Sequence, residues 1–259
     1  MENEPLIVKV TDNVASILIN RPQKKNAITF AMWQALSSRF EALSTDPSVR
    51  AITLSGTGSD FSAGADIAEF DTLRGSDNAR HYEAANSAAF ASIRNARVPV
   101  IAALQGICFG GGFGLAAAAD LRLATPDALF AVPAAKLGLA YPQDAMRDIV
   151  GAAGPQMARY LTFTGNRIDA ETALKAGFLL DIVATGELER RVAEIAATIA
   201  ANAPLSVRAS KLAIHAELSG NATDVELARA AGDRTFNSAD YAEGRAAFQA
   251  RRKAEFVGL

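Results

Sequence analysis

The chain has 259 residues, of which 50% are hydrophobic and 21% are charged, with a formal net charge of -2. This length can bury a large core as one domain, or as one domain with a small appendage. A pI near 5.8 argues against a nucleic-acid partner, which would need clustered basic residues. The N-terminus does not resemble a signal peptide, and no apolar run reaches membrane-spanning length, so we expect a cytoplasmic protein with no membrane contact.

The rare residue types exclude several kinds of site. Cys108 is the single cysteine, so the chain can form neither an intrachain disulfide nor a cysteine-based zinc cluster, and we interpret Cys108 as a core residue. His81 and His215 lie far apart in sequence and show no metal-ligand spacing. The sequence therefore predicts no metal site and no Ser-His-Asp triad.

Hydrophobic patterns define the elements in chain order. Strands are predicted at 6–10, 14–19, 49–56, 98–104, 121–124, 129–132 and 181–183. Helices are predicted at 30–43, 82–93, 143–150, 156–164, 169–176, 187–201, 205–218, 225–236 and 241–256. Thr29 is the expected N-cap of the first helix, and residues 74–78 are expected to form a mobile loop.

Two predicted strands lead into turns that contain glycine. The first turn is Phe61-Ser62-Ala63-Gly64-Ala65-Asp66-Ile67, and the second, from Gly106 to Gly114, has five glycines in nine residues before an alanine-rich buried helix. Such a turn directs free backbone N–H groups and a helix dipole at one point, which can hold a phosphate or a developing oxyanion. The alternative is that the glycines only allow close packing of a helix on a sheet.

The order of elements indicates an α/β fold with two regions. The unit of strand, glycine turn and helix occurs near 49–70 and again near 98–119, which favours a layered core with right-handed crossovers. The boundary is predicted at Asn202-Ala203-Pro204, giving a core at 1–202 and a helical region at 203–259. Three helices without strands enclose little core, so we expect them to pack on the main body or on another subunit.

Several short motifs occur in a specific order along the chain. They are Asn20-Arg21-Pro22-x-x-x-Asn26-Ala27, the two glycine turns, Ala119-Asp120-Leu121-Arg122, Phe130-x-x-Pro133, Leu137-Gly138-Leu139, Gly165-x-x-Ile168-x-Ala170-x-x-Ala173, Gly177-Phe178-Leu179 and Asp240-x-x-Glu243-Gly244-x-x-Ala247-Phe248. Together they resemble the crotonase (enoyl-CoA hydratase/isomerase) superfamily over essentially the whole chain. The resemblance implies a ββα spiral with two roughly perpendicular sheets and a C-terminal helical trimerisation region, hence a homotrimer or a hexamer.

The resemblance also implies an acyl-coenzyme A substrate, with coenzyme A arriving as part of it and no tightly bound cofactor. The thioester oxygen would lie between the N–H groups of Ala65 and Gly111, which would stabilise an enolate. Basic residues would meet the phosphates of coenzyme A, with Arg251 standing where the family has lysine. The alternative for Arg251-Arg252-Lys253 is a solvated helix end. The residues implied for coenzyme A are Lys24 or Lys25, Ala63, Asp66, Ile67, Phe248 and Arg251.

The chain departs from the family's hydratases at both catalytic glutamate positions, which are Gly114 and Ala134 here. Neither residue can accept a proton. Tyr141 stands where methylmalonyl-CoA decarboxylase-like members place a tyrosine, and Asp144 lies about two residues from a catalytic aspartate of some isomerases. The alternatives are a tyrosine that packs against the acyl pocket and an aspartate that caps the next helix. Glu69 and Asp71, after the first turn, are further candidates.

The leading hypothesis is therefore an enoyl-CoA hydratase/isomerase-like enzyme, a lyase or isomerase that stabilises a thioester enolate. Two alternatives remain open at this point. One is a decarboxylase, or another lyase, acting on a malonyl-type CoA thioester, because that reaction needs an enolate sink more than a base. The other is an acyl-CoA-binding protein without catalysis, since a fold does not dictate an activity.

Overall fold

The computed structural model describes residues 4–70 and 79–259, in which strands and helices are arranged as an α/β fold. The strands are β1 (Leu6–Thr11), β2 (Val14–Ile19), β3 (Ala51–Gly56), β4 (Val100–Leu104), β5 (Ile107–Phe109), β6 (Leu121–Ala124), β7 (Leu129–Ala131), β8 (Ile168–Asp169) and β9 (Asp181–Ile182). The helices are α1 (Phe30–Thr45), α2 (Ala79–Arg94), α3 (Gly111–Ala118), α4 (Gln143–Thr164), α5 (Ala170–Lys175), α6 (Leu188–Ala201), α7 (Pro204–Ser219), α8 (Ala222–Phe236) and α9 (Ala239–Ala250).

The strands form two sheets. The larger has the order β1-β2-β3-β4-β6-β9, in which β1 and β2 make an antiparallel hairpin and the remaining neighbours run parallel. The smaller has the order β5-β7-β8, with β5 parallel and β8 antiparallel to β7. Since β4 and β5 are separated by two residues, the chain passes from one sheet to the other at the start of the second glycine turn.

Side-chain alternation in β4 explains how the sheet is covered on both faces. Ala102 and Leu104 point into the main core, whereas Ile101 and Ala103 belong to a smaller apolar cluster on the other face, beneath α6. All five residues of β4 are buried, as expected for a central parallel strand. Such a strand fixes the position of the turn that follows it.

An aromatic cluster packs α3 against the smaller sheet. The rings of Phe113 and Phe178 stack with centroids 4.5 Å apart, and Phe130 of β7 meets both edge-on at 6.4 and 5.4 Å. All three side chains are buried. This packing fixes α3, which begins in the glycine turn.

The sequence predicted most of these elements, including the N-cap of α1, where Thr29 accepts a hydrogen bond from the Met32 N–H at 3.3 Å. Strand β5 was missed because its three residues are embedded in the glycine-rich run. The two helices predicted at 143–164 are joined at Gly154, whose φ of 74° breaks the helix between them. The predicted last helix is too long, because Arg251 adopts a left-handed conformation and ends α9 at Ala250.

The predicted loop at 74–78 lies outside the described residues. In the ranges that the structure describes, no helix is both long and apolar enough to cross a membrane. The predicted division at 202 coincides with the gap between α6 and α7, but whether 203–259 forms a separate region stays a prediction.

Polar contacts connect the last three helices to the core. The Lys211 ammonium of α7 lies 2.7 Å from a carboxylate oxygen of Asp120 and donates to the Val98 carbonyl at 3.1 Å. Arg50 donates to the Phe256 carbonyl at 2.8 Å. The buried carboxylate of Asp240 accepts hydrogen bonds from backbone N–H groups near the C-terminus. The C-terminal segment is therefore attached to the sheet as well as to its own helices.

Candidate active site

The first glycine turn is paired with the loop that follows β2. The Ile28 N–H donates to the Gly64 carbonyl at 2.8 Å, and the Asp66 N–H donates to the Ile28 carbonyl at 2.9 Å. In this parallel bridge, Ala65 lies between the two bonded residues, so its own N–H points away from Ile28. The turn thereby presents the Ala65 N–H on the side opposite the loop.

The second glycine turn supplies the N-terminus of α3. Gly110 has a φ of 52°, a conformation that suits glycine, and its N–H donates to the Ala131 carbonyl at 2.9 Å. The helix begins at Gly111 without a side-chain cap. The Gly111 N–H is therefore one of the unpaired donors at the positive end of α3.

The two turns lie against each other. A Cβ built on Gly64 would lie 2.9 Å from the Gly111 nitrogen and 2.7 Å from the Phe109 carbonyl oxygen. A Cβ built on Gly111 would lie 3.6 Å from the Ala65 nitrogen and 2.8 Å from the ring of Trp33. Glycine at both positions allows this approach, which brings the Ala65 and Gly111 nitrogens to one place.

Both nitrogens keep their hydrogens available. Within residues 4–70 and 79–259, neither the Ala65 N–H nor the Gly111 N–H donates a hydrogen bond. Both residues are half-buried, so their N–H groups can bond an external acceptor, whether water or a ligand oxygen. An oxygen with developing negative charge would satisfy both.

An ion pair connects the first turn to the loop after β2. The Arg21 guanidinium lies 2.9 Å from the Asp66 carboxylate and also donates to the Ala27 carbonyl at 2.7 Å. Burial raises the pKa of Asp66, but the hydrogen bonds from Arg21 and the Ala68 N–H outweigh it and lower the pKa below its ordinary value. Arg21 therefore holds the turn that carries Ala65.

Asn26 is a buried part of the same loop. Its Oδ1 accepts from the Arg21 N–H at 2.8 Å, and its Nδ2 donates to the carbonyls of Thr57 and Asp60 at 2.9 and 2.6 Å. These bonds connect the loop to the segment after β3. They give a physical reason for the Asn-Arg-Pro and Asn-Ala pattern seen in the sequence.

Arg122 fixes the other end of α3. Its guanidinium donates to the Phe178 carbonyl at 2.6 Å, to Ala116 at 3.2 Å and to Ala119. Burial lowers the pKa of Arg122 to about 10, and the charge of Asp120 opposes that shift. A cation at the carboxyl end of α3 satisfies its last carbonyls and so stabilises the helix whose first turn contains Gly111.

Tyr141 approaches the same helix from the segment before α4. Its hydroxyl donates to the Gly110 carbonyl at 2.9 Å. A Cβ built on Gly114 would lie 2.4 Å from the Tyr141 oxygen and 2.7 Å from the ring of Phe90. The space that a side chain at 114 would need is thus occupied by the tyrosine hydroxyl and a phenylalanine ring.

The other predicted acid–base candidates occupy different settings. Asp144 lies exposed in the first turn of α4 and forms no hydrogen bond or ion pair with the described residues, so the alternative interpretation, in which it caps this helix, is wrong: Pro142 is the N-cap. The Glu69 carboxylate accepts from the Phe30 N–H at 2.7 Å, at the start of α1. Ala134 lies in a 3-10 turn at Pro133–Leu137. Asp71 falls outside the described residues.

The residues predicted for coenzyme A divide into two groups. The Ala63 N–H donates to the Lys25 carbonyl at 2.9 Å, so exposed Lys24 and Lys25 border the first turn together with Asp66 and the exposed Ile67. Phe248, which is 86% exposed, and Arg251 lie at the end of α9. Phe248 lines a separate cavity of about 410 Å³ whose walls come from residues 203–256 and from neither glycine turn.

The chain matches known proteins along nearly its whole length. The family model described as Enoyl-CoA hydratase/isomerase matches residues 9–258. The chain belongs to the enoyl-CoA hydratase/isomerase family. It is similar to the crotonyl-CoA hydratase of Syntrophomonas wolfei, at 33% identity over 99% of both chains. It is also similar to the short-chain-enoyl-CoA hydratase of Clostridium acetobutylicum, at 32% identity over 98% of both chains.

A solved structure agrees with the family assignment. The enoyl-CoA hydratase/carnithine racemase of Magnetospirillum magneticum superposes with a TM-score of 0.91 at 34% identity, covering 99% of this chain and 96% of that one. The α/β fold with two sheets, predicted from the resemblance, is thereby confirmed as that of the hydratase/isomerase family.

Sequence reasoning missed the aromatic residues behind the two turns. Trp33 contacts the position of Gly111, donates from Nε1 to the Tyr82 hydroxyl at 3.3 Å, and meets Phe90 edge-on at 5.7 Å. All three side chains are buried. Their contact with the second glycine turn joins segments that are distant in sequence, so no local sequence pattern reveals it.

Proposed function

We propose that this protein is an acyl-CoA lyase or isomerase that stabilises the enolate of its thioester substrate between two backbone N–H groups, those of Ala65 and Gly111. The observation that carries the proposal is the pair of adjacent, unpaired N–H groups in the two glycine turns. Preorganised donors stabilise charge that develops on an oxygen without any reorganisation. Each such donor contributes about 2.7–4 kcal/mol in other enzymes.

The substrate class rests on family membership. Two relatives carry names that specify short enoyl-CoA substrates, crotonyl-CoA hydratase and short-chain-enoyl-CoA hydratase. We propose a coenzyme A thioester for this chain too. Lys24 or Lys25, the backbone from Ala63 to Ile67 with Asp66, and Phe248 and Arg251 of a neighbouring subunit would contact the coenzyme A portion.

We also propose that the region 203–259 forms the contact of a homotrimer, or of a hexamer built from trimers. Large apolar side chains on α7 and α8 support this proposal, because they are exposed in the single chain. They are Ile214, Leu218, Leu227 and Phe236.

The reaction itself is limited by the side chains beside the two donors. Hydration that uses two glutamates is not available to this chain, because the corresponding positions are Gly114 and Ala134. A second candidate, favoured by this lack of carboxylates, is decarboxylation of a malonyl-type thioester. The bond to the carboxylate breaks, its electron pair enters the thioester enolate, carbon dioxide leaves, and the α-carbon takes a proton.

Turnover of three thioesters tests the proposal. The purified full chain is incubated with crotonyl-CoA, a 3-enoyl-CoA and methylmalonyl-CoA, and the products are identified by mass spectrometry. Conversion of any of them supports a lyase or isomerase, and methylmalonyl-CoA decarboxylation selects the second candidate. Hydration at an ordinary rate would contradict the importance of the two glutamates. Tight binding without conversion would indicate an acyl-CoA-binding protein.

The oxyanion site has a test of its own. Butyryl-CoA is compared with S-butyl-CoA, a thioether that has the same chain but lacks the carbonyl oxygen. We expect the thioester to bind more tightly by calorimetry, because only its oxygen can accept from Ala65 and Gly111. Equal affinities would contradict the proposed site even if turnover were observed.

A further inference from the structure

The hydroxyl of Tyr141 contacts the peptide group that carries one proposed oxyanion donor, the Gly111 N–H. It donates to the Gly110 carbonyl oxygen, and the oxygen atoms are 2.9 Å apart. That carbonyl and the Gly111 N–H belong to one planar peptide unit and point in opposite directions. The tyrosine therefore contacts the Gly110–Gly111 peptide on the face away from the acceptor that its N–H would meet.

Hydrogen bonds hold the Gly110 end of this peptide, while the Trp33 ring lies against Gly111. A Cβ built on Gly110 would have no heavy atom within 4 Å, so the turn has open space at this residue. The Gly110 carbonyl accepts from Tyr141 and, at 3.1 Å, from the Gly114 N–H, while the Gly110 N–H donates to Ala131 at 2.9 Å. Removing one of these bonds would leave the peptide plane less well defined.

A hydrogen bond to the Gly110 carbonyl also makes the Gly111 N–H, at the other end of the same peptide, a stronger hydrogen-bond donor. Hydrogen bonds in a chain polarise one another, by about 10–30% per bond in condensed phases. A phenol is a good donor, and the Tyr141 hydroxyl is placed to donate to the Gly110 carbonyl. In this hydrogen bond the Tyr141 hydroxyl acts on the Gly110–Gly111 peptide.

The glycine at 114 makes this contact possible. A Cβ there would lie 2.4 Å from the Tyr141 oxygen, which is closer than atoms can approach. Any side chain at 114 would therefore displace the hydroxyl from the Gly110 carbonyl. Gly114 and Tyr141 form a matched pair, in which the missing side chain provides the room that the hydroxyl uses.

We infer that Tyr141 is a positioning residue, which orients and polarises the Gly110–Gly111 peptide so that the Gly111 N–H is a stronger oxyanion donor, and that Gly114 provides the room for its hydroxyl. The inference rests on the proposed role of the Gly111 N–H. This positioning role differs from direct proton transfer by Tyr141, because in direct transfer the hydroxyl would have to face the substrate.

The carbonyl of a bound thioester reports on the donor directly. Butyryl-CoA labelled with ¹³C at the thioester carbon is bound to the wild-type protein, and the change of its carbonyl resonance on binding is measured. In Tyr141→Phe we expect a smaller change than in wild type. We expect kcat to fall about 3- to 30-fold, which is less than the loss of about 10²–10³ for a whole donor, with little change in KM.

Four further variants accompany this measurement. Tyr160→Phe removes the hydroxyl of an exposed tyrosine on α4 and should leave the resonance unchanged. Gly114→Ala should reduce the change as Tyr141→Phe does, and combining the two should reduce it no further. If Tyr141→Phe does not fold, 3-fluorotyrosine at 141 retains the contact with a more acidic phenol and should increase the change.

The outcomes separate the oxyanion site, the role of Tyr141 and its pairing with Gly114. No carbonyl change in the wild type would overturn the oxyanion site itself, and this inference with it. A change that Tyr141→Phe leaves intact would overturn only the inference, and slower turnover with that intact change would assign Tyr141 to direct chemistry. Additive losses in the Gly114→Ala double variant would show that the two positions do not act as a pair.

Discussion

Replacement of Gly64 by alanine should damage the proposed oxyanion site more than it damages the fold. Gly64 has a φ of 92°, and a Cβ there would lie 2.7 Å from the Phe109 carbonyl oxygen and 2.9 Å from the Gly111 nitrogen. The backbone strain costs about 1–3 kcal/mol of folding free energy. The two contacts involve backbone atoms, so one turn must move away from the other.

Gly177→Ala is a matched control, since Gly177 has a φ of 78° and open space around its Cβ position. Both variants should lose a similar 1–3 kcal/mol from strain, measured by urea unfolding. Only Gly64→Ala should also lower kcat, by about 10²–10³ if the Gly111 donor is misplaced. Equal turnover by the two variants, corrected for folded protein, would refute the proposed contact between the turns.

Three further changes test the surrounding structure. Arg21→Ala should cost about 1.5–3 kcal/mol of stability near neutral pH. Because the pKa of Asp66 is lowered in the folded state, this difference should shrink as the pH falls below about 4; a pH-independent difference in urea titrations would contradict it. The Arg94 guanidinium lies 2.6 Å from the buried Asp148 carboxylate. Arg94→Met should lower the free energy of unfolding by about 3–5 kcal/mol, because it leaves Asp148 unpaired, and adding Asp148→Leu should recover most of that loss. Equal urea midpoints for Arg94→Met and the wild type would contradict this. Deletion of 204–259 should give insoluble protein, and a soluble, folded monomer on gel filtration would overturn that expectation.

The sequence predicted the fold well where one segment carries its own pattern. The hairpin of β1 and β2, the helix capped by Thr29 and the buried strand β4 all have complete local patterns, and the structure contains them. Strand β5 could not be predicted, because its pairing with β7 comes from tertiary contact and not from its three residues. The last helix was overextended, since nothing in the periodicity required Arg251 to turn left-handed.

The candidate site stays a prediction, in which the sequence named two backbone donors and, through the family resemblance, the side chain of Tyr141. Glycine-rich turns after strands indicate backbone donors, and the ordered motifs selected Ala65 and Gly111, whose N–H groups lie close together. The side-chain contacts of the two turns could not be predicted in this way. Trp33 and Tyr141 reach Gly111 and the Gly110 carbonyl from elements far away in sequence, and such contacts leave no periodic pattern.

Position 114 connects the departure from the family pattern to the choice of reaction. By the family resemblance, Gly114 stands where the hydratases carry a glutamate. In the structure, the space beside it holds the Tyr141 hydroxyl and the Phe90 ring, so loss of the side chain and approach of the tyrosine are one structural change. With glycine at 114 and alanine at 134, these two positions supply no carboxylate to hold a water. The proposed enolate, held by two backbone N–H groups, needs no such water, so the proposal favours reactions that need an electron sink over those that need an activated water.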